Sequence, residues 1–252
     1  MTRTVDLNAD MGEGFGPWPM GDDAALLRIV SSANIACGFH AGDPDTMART
    51  MDLALAAGVA IGAHPGFADL QGFGRRRIAL STAELTHMIQ YQLGAAMALA
   101  QARGTRLRHL KLHGALSNMA CEDLEMANAC YRAALAVQPD LRLVVMPRTA
   151  LEQAASDLGA AMSREVFADR SYNDDGTLTD RRAEGAMIHD PDQAADRIVA
   201  MLRDGGITTR GGKLLSVPID TICVHGDGPQ ALAIAKRVAQ GLSAAGVSIA
   251  AP

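Results

Sequence analysis

The sequence predicts a single βα barrel over residues 1–252, in which parallel strands close into a cylinder and helices cover its outer surface. Six hydrophobic runs each end in a short cluster of His, Asp, Asn or Lys side chains, and glycines surround most of these clusters. The length of 252 residues is typical for one such barrel. Hydrophobic residues make up 48% of the chain but aromatic residues only 4%, so small aliphatic side chains must build the core. That composition suits helices packed on a parallel sheet.

Alternating strand and helix patterns divide the chain into seven βα units, which fit the sequence better than eight. Short apolar runs rich in β-branched residues predict strands at 4–9, 33–37, 59–63, 109–112, 142–146, 165–168 and 221–224. Longer amphipathic segments predict helices at 22–30, 45–57, 81–103, 124–136, 149–158, 192–203 and 229–244. A tail at 247–250 adds a short strand or covers the barrel wall.

Capping residues mark the starts of three of these helices. Asp22 or Asp23 supplies the carboxylate that accepts hydrogen bonds from the free amides of the first helix. Asp43 caps the second helix, and the proline after it occupies a position where a missing N–H costs nothing. Ser81 and Glu84 have the spacing of a capping box at the start of the third helix.

One segment does not fit an ordinary connection between a strand and a helix. Residues 169–188 are polar and too long for that purpose, so they form a loop or hairpin over the mouth of the barrel. The sequence leaves open whether this segment is a lid or a solvated excursion.

Charge and motifs exclude several classes of protein. The net charge of −5 and the absence of a basic stripe exclude nucleic acid as a partner. No run of 18 apolar residues predicts a membrane span. Four separated cysteines without a CxxC pair, and the lack of a leader segment, indicate a reducing cytoplasm. The nucleotide-binding motif GxxxxGK[ST] and the hydrolase motifs GxSxG and HExxH are also missing.

The first strand ends in three candidate site residues. Barrel enzymes collect their reactive groups at the carboxyl ends of the strands. Alternate side chains of a strand share a face, so Asn8 and Asp10 both point into the barrel mouth, and Glu13 follows in the glycine-rich turn. Their convergence within one turn favours a functional role over the alternative that they only bind turn amides.

Strands two, three and four carry the candidate acid, base and electrostatic groups. His40 lies in the loop after strand two, and His64 lies at the end of strand three, where the backbone fixes its direction. Lys111 and His113 are two residues apart on strand four and so share a face. Because a buried lysine is rare without a partner, this pair predicts a functional site rather than a core strand.

The last two strands carry candidates for binding an anion. Asp169 and Arg170 end strand six, and His225 and Asp227 end strand seven. The glycines beside His225 can form a concave set of backbone amides ahead of a helix, which favours a phosphate or carboxylate. Arginine runs are often solvated surface, but four arginines are candidates for clamping such a group: Arg75, Arg76, Arg181 and Arg182.

With these residues in place, the chain resembles the LamB/YcsF family, the A subunits of bacterial ATP-dependent 5-oxoprolinases. The resemblance runs from about residue 5 to residue 247. It rests on six long collinear motifs: DLNADMGEGFG (6–16), NIACGFHAGDP (34–44), IGAHPGFADLQGFGRR (61–76), KLHGALSN (111–118), EVFADRSY (165–172) and ICVHGDGP (222–229). Ser117 departs from the tyrosine usual at its position, which puts one contact at the mouth of strand four in doubt.

The resemblance implies a seven-stranded (β/α) barrel similar to the glycoside hydrolase/deacetylase superfamily. It also implies ATP-driven opening of 5-oxo-L-proline to L-glutamate, with release of ADP and phosphate, in complex with separate B and C subunits. ATP is then a co-substrate, and the missing nucleotide-binding motif predicts an unconventional or shared ATP site.

Such a reaction assigns roles to the candidate residues. Asp10, with His40 or His64, orients or deprotonates the attacking water, directly or through a metal. Lys111 and His113 neutralise charge on the carbonyl oxygen or its phosphate. The remaining candidates bind the substrate: Asn8, Glu13, Arg75, Asp169, Arg170, His225 and Asp227.

Two alternative functions stay open. One is an ATP-independent, metal-dependent amide hydrolase similar to the polysaccharide deacetylases, although the HxxxH spacing of those enzymes is missing here. The other is a non-catalytic protein of the complex that only binds the lactam. An Asp with two histidines from different strands can hold a divalent metal, so the sequence leaves the metal content undecided.

Overall fold

A computed structural model describes residues 3–226, 228 and 230–252, which contain ten strands and eight helices. The strands are β1 Thr4–Met11, β2 Ser32–Ala36, β3 Ala60–His64, β4 His109–Leu110, β5 Arg142–Val145, β6 Met162–Phe167, β7 Gly206–Thr208, β8 Leu214–Ser216, β9 Thr221–Val224 and β10 Ser248–Ile249. The helices are α1 Asp23–Leu26, α2 Pro44–Ala56, α3 Thr82–Gln101, α4 Gly114–Glu122, α5 Leu124–Val137, α6 Ala150–Asp157, α7 Pro191–Asp204 and α8 Ala231–Ala244.

Seven of the strands close into a parallel barrel, which confirms the predicted fold class. Strands β1 to β6 pair in chain order, and β9 pairs in parallel with both β6 and β1. Strand β10 pairs with the first residues of β1, so the tail forms the short strand that was one of its two predicted states. Strands β7 and β8 form a separate antiparallel pair that the sequence pattern did not predict.

Strand β1 divides its side chains between the inside of the barrel and the layer of helices. Val5, Leu7 and Ala9 are buried in the hydrophobic core outside the barrel wall. Asp6 and Asn8 point the other way and make hydrogen bonds to side chains of β2, β6 and β9 inside the barrel. The interior of this barrel is therefore polar, and the apolar core lies between the strands and the helices.

The predicted helix starts agree with the structure. The Asp22 carboxylate accepts from the backbone N–H of Ala25 at 3.0 Å, although α1 then continues for only four residues. Asp43 accepts from two backbone amides of the first turn of α2. Ser81 and Glu84 form both hydrogen bonds of the capping box. Helix α4 was missed because it follows His113 directly and has no side-chain cap.

Residues 169–188 pack over the barrel mouth as a hairpin. Arg170 forms an antiparallel bridge with Met187, and Tyr172 forms one with Leu178. Tyr172 is fully buried, and its hydroxyl accepts from the backbone N–H of Phe167 at 2.8 Å. Residues 169–188 therefore form a packed cover over the barrel mouth and not a solvated excursion. No helix in the described part of the chain is long and apolar enough to cross a membrane.

Candidate active site at the mouth of the barrel

The lower half of the barrel interior contains a network of hydrogen bonds between polar side chains. Asp6 accepts from the Ser32 hydroxyl at 2.7 Å and from the Thr221 hydroxyl at 2.6 Å. Asn8 donates to Glu165 at 3.1 Å and to Thr221 at 2.7 Å. The members of this lower network are Asp6, Asn8, Ser32, Asn34, His109 and Thr221.

Asn34 links the lower network to the barrel mouth. Its amide group donates to Asn8 at 2.7 Å and to Asp10 at 2.8 Å. Its carbonyl oxygen lies 2.7 Å from Nε2 of His109, and burial lowers the pKa of His109 to about 4, so His109 donates this bond as a neutral ring. Asn8 is 1% exposed, and all its amide hydrogens have partners within the barrel.

Lys111 lies above this network between two carboxylates. Its Nζ atom is 3.0 Å from Oδ1 of Asp10 and 2.9 Å from Oε1 of Glu165, and it donates to Sγ of Cys223 at 2.9 Å. Burial alone lowers the pKa of Lys111, but Asp10, Cys223 and Glu165 raise it well above its usual value. The ammonium group is therefore charged at neutral pH.

The two carboxylates beside Lys111 differ in acidity. Burial alone raises the pKa of Asp10, but His64 and Lys111 hold it well below its usual value, so this carboxylate is ionised. Burial raises the pKa of Glu165, an effect that Lys111 only partly offsets. Sequence analysis missed Glu165 as a site residue, although an acidic residue two positions before Phe167 faces the same side of β6.

Three histidines and one glutamate form a second group, which we call the histidine cluster: Glu13, His40, His64 and His113. Nε2 of His64 lies 3.3 Å from Oδ2 of Asp10 and 3.0 Å from Nδ1 of His113. The rings of His40 and His113 stack with their centroids 3.7 Å apart. Oε1 of Glu13 lies 3.6 Å from Nε2 of His40 and 3.8 Å from Nδ1 of His113.

Two glycines allow the rings of the cluster to come together. A Cβ atom on Gly66 would lie 2.7 Å from Nδ1 of His40. A Cβ atom on Gly74 would lie 2.7 Å from Cβ of His40 and 2.8 Å from the His113 ring. Burial, assisted by the neighbouring imidazoles, lowers the pKa of both His40 and His113 well below the usual value, so both rings are neutral.

His225 and two residues of the hairpin form a third group at the rim. Nδ1 of His225 donates to the Asp169 carboxylate at 2.7 Å, and its Nε2 accepts from the Arg181 guanidinium at 3.0 Å. Burial alone raises the pKa of Asp169, but His225 lowers it below its usual value. Arg170 is 4% exposed, and burial, together with Arg181, lowers its pKa to about 10.

A cleft of about 710 Å³ joins these groups. The site residues predicted from sequence that line it are Asp10, Glu13, His64, Arg75, Lys111, His113, Arg170 and His225. Asn8 and Asp169 lie beneath this surface, and His40 lies behind the His113 ring. Arg75 is exposed at the rim with its guanidinium 4.7 Å from the centre of the Phe73 ring, and Asp227 lies outside the described residues.

Two sets of side chains in the described residues have ligand atoms close enough to hold a metal ion. One is the histidine cluster, and the other consists of Asp10, Cys223 and His225. In each set the ligand atoms lie within 4.8 Å of one another. Imidazole and carboxylate groups suit a borderline transition metal better than Mg²⁺ or Ca²⁺, which prefer oxygen ligands. The rings of His40 and His113, however, lie almost parallel, with 8° between their planes, so they cannot both point a lone pair at one ion in this arrangement.

Comparison with known proteins agrees with this architecture. The LamB/YcsF family matches residues 5–252 of the sequence. The chain belongs to the LamB/YcsF family. Its relatives include the 5-oxoprolinase A subunit of Ruegeria pomeroyi, 59% identical over 251 residues that cover 100% of this chain and 99% of the relative. The 5-oxoprolinase A subunit of Rhodopseudomonas palustris is 52% identical over 248 residues, which cover 98% of this chain and 97% of the relative.

Two solved structures share the barrel fold of the LamB/YcsF chain. The lactam utilization protein of Thermus thermophilus has a TM-score of 0.93 at 44% identity, with 99% of this chain and 100% of that chain covered. A family 4 carbohydrate esterase from Streptomyces lividans has a TM-score of 0.51 at 14% identity, with 98% and 91% covered. The second similarity shows a shared fold alone, and that fold is the barrel expected from the sequence.

Proposed function

We propose that this LamB/YcsF chain is the A subunit of an ATP-dependent 5-oxoprolinase, which opens the ring of 5-oxo-L-proline to give L-glutamate. Relatives with this name are 59% and 52% identical over almost their whole length, and the lactam utilization protein is 44% identical. The observation in the structure that carries the proposal is the buried pair of Asp10 and Lys111, backed by Glu165, which lines a cleft wide enough for a small ring.

The chemistry of a lactam explains why such a set is needed. Amide resonance stabilises the closed ring, and the ring nitrogen is a poor leaving group. Phosphorylation of the carbonyl oxygen by ATP removes that resonance, after which water adds to the ring carbon and the C–N bond breaks. Overall, ATP and two waters are consumed, and glutamate, ADP and phosphate leave. The site must therefore hold a cation beside the negative charge that develops on the substrate, and it must exclude bulk water.

Lys111 and Asp10 meet these needs in our proposal. The Lys111 ammonium neutralises charge that develops on the carbonyl oxygen or its phosphate. The Asp10 carboxylate, ionised and fixed by Asn34 and His64, orients the attacking water and accepts its proton. Glu165 holds the ammonium from the side opposite Asp10.

The rim of the cleft supplies binding groups for the substrate carboxylate. Arg170 is buried beside the cleft, and Arg181 lies against His225. Arg75 lines the same cleft. Guanidinium groups bind carboxylates through paired hydrogen bonds, so these three arginines orient the ring with its amide towards Lys111. Hydrogen bonds fix His225 between Asp169 and Arg181, so it positions Arg181 and does not move freely.

Partner subunits complete the proposed enzyme. The names of the relatives designate one subunit of a larger assembly, and this sequence lacks the GxxxxGK[ST] motif. We therefore assign ATP hydrolysis to the assembled complex with the B and C subunits, through a nucleotide site that the partners provide or share. The cytoplasmic location expected from the cysteines stays a prediction and belongs to the same proposal.

Mixing the purified chain with its B and C partners tests the proposal directly. With ATP and 5-oxoproline present, we expect glutamate and phosphate to appear together and only when all three subunits are present. The Asp10→Asn variant should lose both products, whereas Asp157→Asn on the exposed end of α6 should form them normally. Full turnover by the B and C partners without this chain would overturn the proposal.

The shared fold with a carbohydrate esterase favours a second, weaker candidate, an amide hydrolase that needs no ATP. Release of acetate or opening of a lactam by the isolated, metal-loaded chain without nucleotide would support it. A chain that binds 5-oxoproline, but whose Asp10→Asn variant supports full turnover in the complex, would instead have a non-catalytic binding role.

A further inference from the structure

Backbone carbonyl groups fix one ring hydrogen on each of two histidines at the barrel mouth. Nδ1 of His64 lies 2.7 Å from the carbonyl oxygen of Lys111. Nε2 of His113 lies 2.8 Å from the carbonyl oxygen of Phe73. A carbonyl oxygen only accepts hydrogen bonds, so each of these two nitrogens carries a hydrogen. One nitrogen of each ring is then left to be assigned, Nε2 of His64 and Nδ1 of His113.

Those two nitrogens share one further hydrogen. Nε2 of His64 and Nδ1 of His113 are 3.0 Å apart, which is the distance of a hydrogen bond. Two bare lone pairs at this distance would repel each other, and two hydrogens would clash, so a single hydrogen between the nitrogens satisfies both. The two rings together therefore carry one hydrogen more than two neutral imidazoles do, and the pair has one positive charge.

Asp10 locates this charge on His64. Oδ2 of the ionised Asp10 carboxylate lies 3.3 Å from Nε2 of His64, whereas the Glu13 carboxylate is 3.8 Å from Nδ1 of His113. Burial, together with the neighbouring His64, lowers the pKa of His113 well below its usual value, so His113 is the neutral ring. His64 is then an imidazolium that donates its Nε2 hydrogen to Nδ1 of His113.

His64 is a better proton donor than the other buried cation of the site. The Lys111 ammonium is bonded to Asp10, Glu165 and Cys223, which raise its pKa well above the usual value against the effect of burial. An imidazolium gives up a proton far more readily than an ammonium group. Both residues line the cleft. A nitrogen that carries a hydrogen has no lone pair for a metal ion, so His64 is not a metal ligand in this arrangement.

We propose that His64, held as an imidazolium between Asp10 and His113, is the acid that protonates the leaving nitrogen when the lactam ring opens. This catalytic role rests on the proposed function, whereas the charge of His64 does not. The ring nitrogen leaves poorly because it would depart as an anion, and a proton from a positioned acid removes that charge. Asp10 is the matching base that accepts a proton from the attacking water.

The protons balance when the two groups act in turn. The oxygen of the water bonds to the ring carbon, and Asp10 takes one of its protons. The C–N bond then breaks with its electron pair on the nitrogen, and that pair takes the Nε2 proton of His64. The added oxygen becomes a carbonyl oxygen, and its second proton passes to the freed amine. Asp10 returns its proton to Nε2 of His64 across 3.3 Å, so both groups regain their starting charges.

The ring hydrogens of His64 can be observed on the isolated full chain by nuclear magnetic resonance. In a two-bond ¹H–¹⁵N spectrum of chelator-treated protein labelled in its histidine rings, nitrogens with and without a hydrogen have different shifts. Near neutral pH we expect hydrogens on both nitrogens of His64 and a bare Nδ1 on His113, with signals assigned from His64→Gln and His113→Gln. A bare Nε2 on His64 would overturn the proposal. So would Zn²⁺ binding by the wild-type chain that is lost in His64→Gln.

A second substrate distinguishes an acid from a structural residue. In the three-subunit complex with ATP, His64→Gln should open 5-oxoproline at least about 100-fold more slowly, the usual contribution of a general acid. The thiolactone with the same ring size and carboxylate releases a thiolate, which leaves without a proton, so its opening, followed as free thiol, should slow by less than about 10-fold. Asp10→Asn should slow both reactions. Equal slowing of both rings in His64→Gln, or normal opening of the lactam, would overturn the proposal.

Controls separate this proposal from folding and from the proposed function. His87→Gln removes an exposed imidazole of α3 and should open both rings normally. Circular dichroism shows whether each variant is folded. If His64→Gln does not fold, His113→Gln decides the question, because loss of the acceptor for the Nε2 hydrogen should slow the lactam more than the thiolactone. If wild type does not open the thiolactone, the ring spectrum and lactam opening decide. A wild-type complex that gives no glutamate would refute the proposed function, and the spectrum would still decide the charge of His64.

Discussion

The lower network and the histidine cluster lie in the same barrel and contain similar residue types, yet they differ in how their polar atoms are paired. In the lower network, Asn8, Asn34 and Thr221 each act as donor and acceptor towards one another or their neighbours. In the histidine cluster, neither ring nitrogen of the buried His40 makes a hydrogen bond to any residue that the structure describes. Saturated hydrogen bonds give stability, and unmatched acceptors give a place for a ligand.

This difference separates structural from functional polar residues more sharply than burial does. Asn8 and His64 are each 1% exposed, but Asn8 has partners for all of its amide hydrogens. We therefore expect Asn8 to support Asp10 and Lys111 from below, and its direct contact with substrate stays a prediction. The four predictions that follow test the comparison, from the largest effect to the smallest.

The largest effect should follow from removing an imidazole of the histidine cluster. In His113→Ala, oxoproline-dependent ATP hydrolysis by the three-subunit complex should fall at least about 100-fold, the usual contribution of a positioned catalytic group. Loss of the buried ring also leaves a cavity, so turnover is compared per folded molecule, with circular dichroism to check that the fold is intact. His87→Ala is the matched control. Near-normal turnover by His113→Ala would show that this imidazole of the histidine cluster is not needed for the reaction.

In the lower network, we expect a substitution to lower stability more than turnover. Thr221→Val keeps the shape of the side chain but removes the Thr221 partner of one carboxylate oxygen of Asp6 and of one amide hydrogen of Asn8. Each buried polar group that loses its partner costs about 1–3 kcal/mol, so denaturant unfolding should show a loss of about 4 kcal/mol. Turnover per folded molecule should fall far less than in His113→Ala. A large loss of turnover at unchanged stability would show that the lower network is itself part of the chemistry.

The pH dependence of stability should reveal His109 in the lower network. Burial lowers the pKa of His109 to about 4. An unfolded histidine has a pKa of about 6.5, so between roughly pH 6.5 and 4 the unfolded chain binds a proton that the folded chain does not. The free energy of unfolding should therefore fall by roughly 3 kcal/mol as the pH falls through this window.

Urea unfolding of His109→Gln at the same pH values isolates this contribution. Glutamine can keep a donor towards Asn34 but does not titrate, so the variant should lose less stability than wild type as the pH falls. Equal losses in both proteins would show that other groups cause the dependence.

A helix cap that lies outside both regions serves as the reference for the stability changes. Ser81→Ala removes the side chain that accepts from the Glu84 N–H at the start of α3. Thermal unfolding should show a loss of about 1 kcal/mol, as for other N-caps. Turnover of the folded complex should not change. A larger loss than in Thr221→Val would mean that the lower network contributes less stability than its hydrogen bonds indicate.

Local sequence patterns predicted most of the fold. The alternation of β1, the proline after Asp43 and the capping box at Ser81 are interactions between near neighbours, and each appears in the structure. Helix α4 and the β7–β8 pair were missed because they lack such local signals. Strand β4 is shorter than predicted, since its pairing with β5 stops at Leu110 while Lys111 continues to bond β3.

The sequence by itself determined that acidic, imidazole and ammonium groups would meet at one rim, because all parallel strands of a barrel end on the same side. Only the tertiary structure decided which atoms face which. The pairing of Lys111 with Glu165 joins residues from different strands. The hydrogen positions of His64 and His113 depend on carbonyl groups 47 and 40 residues away. Distances of this kind are set by closure of the whole barrel, and no local pattern encodes them.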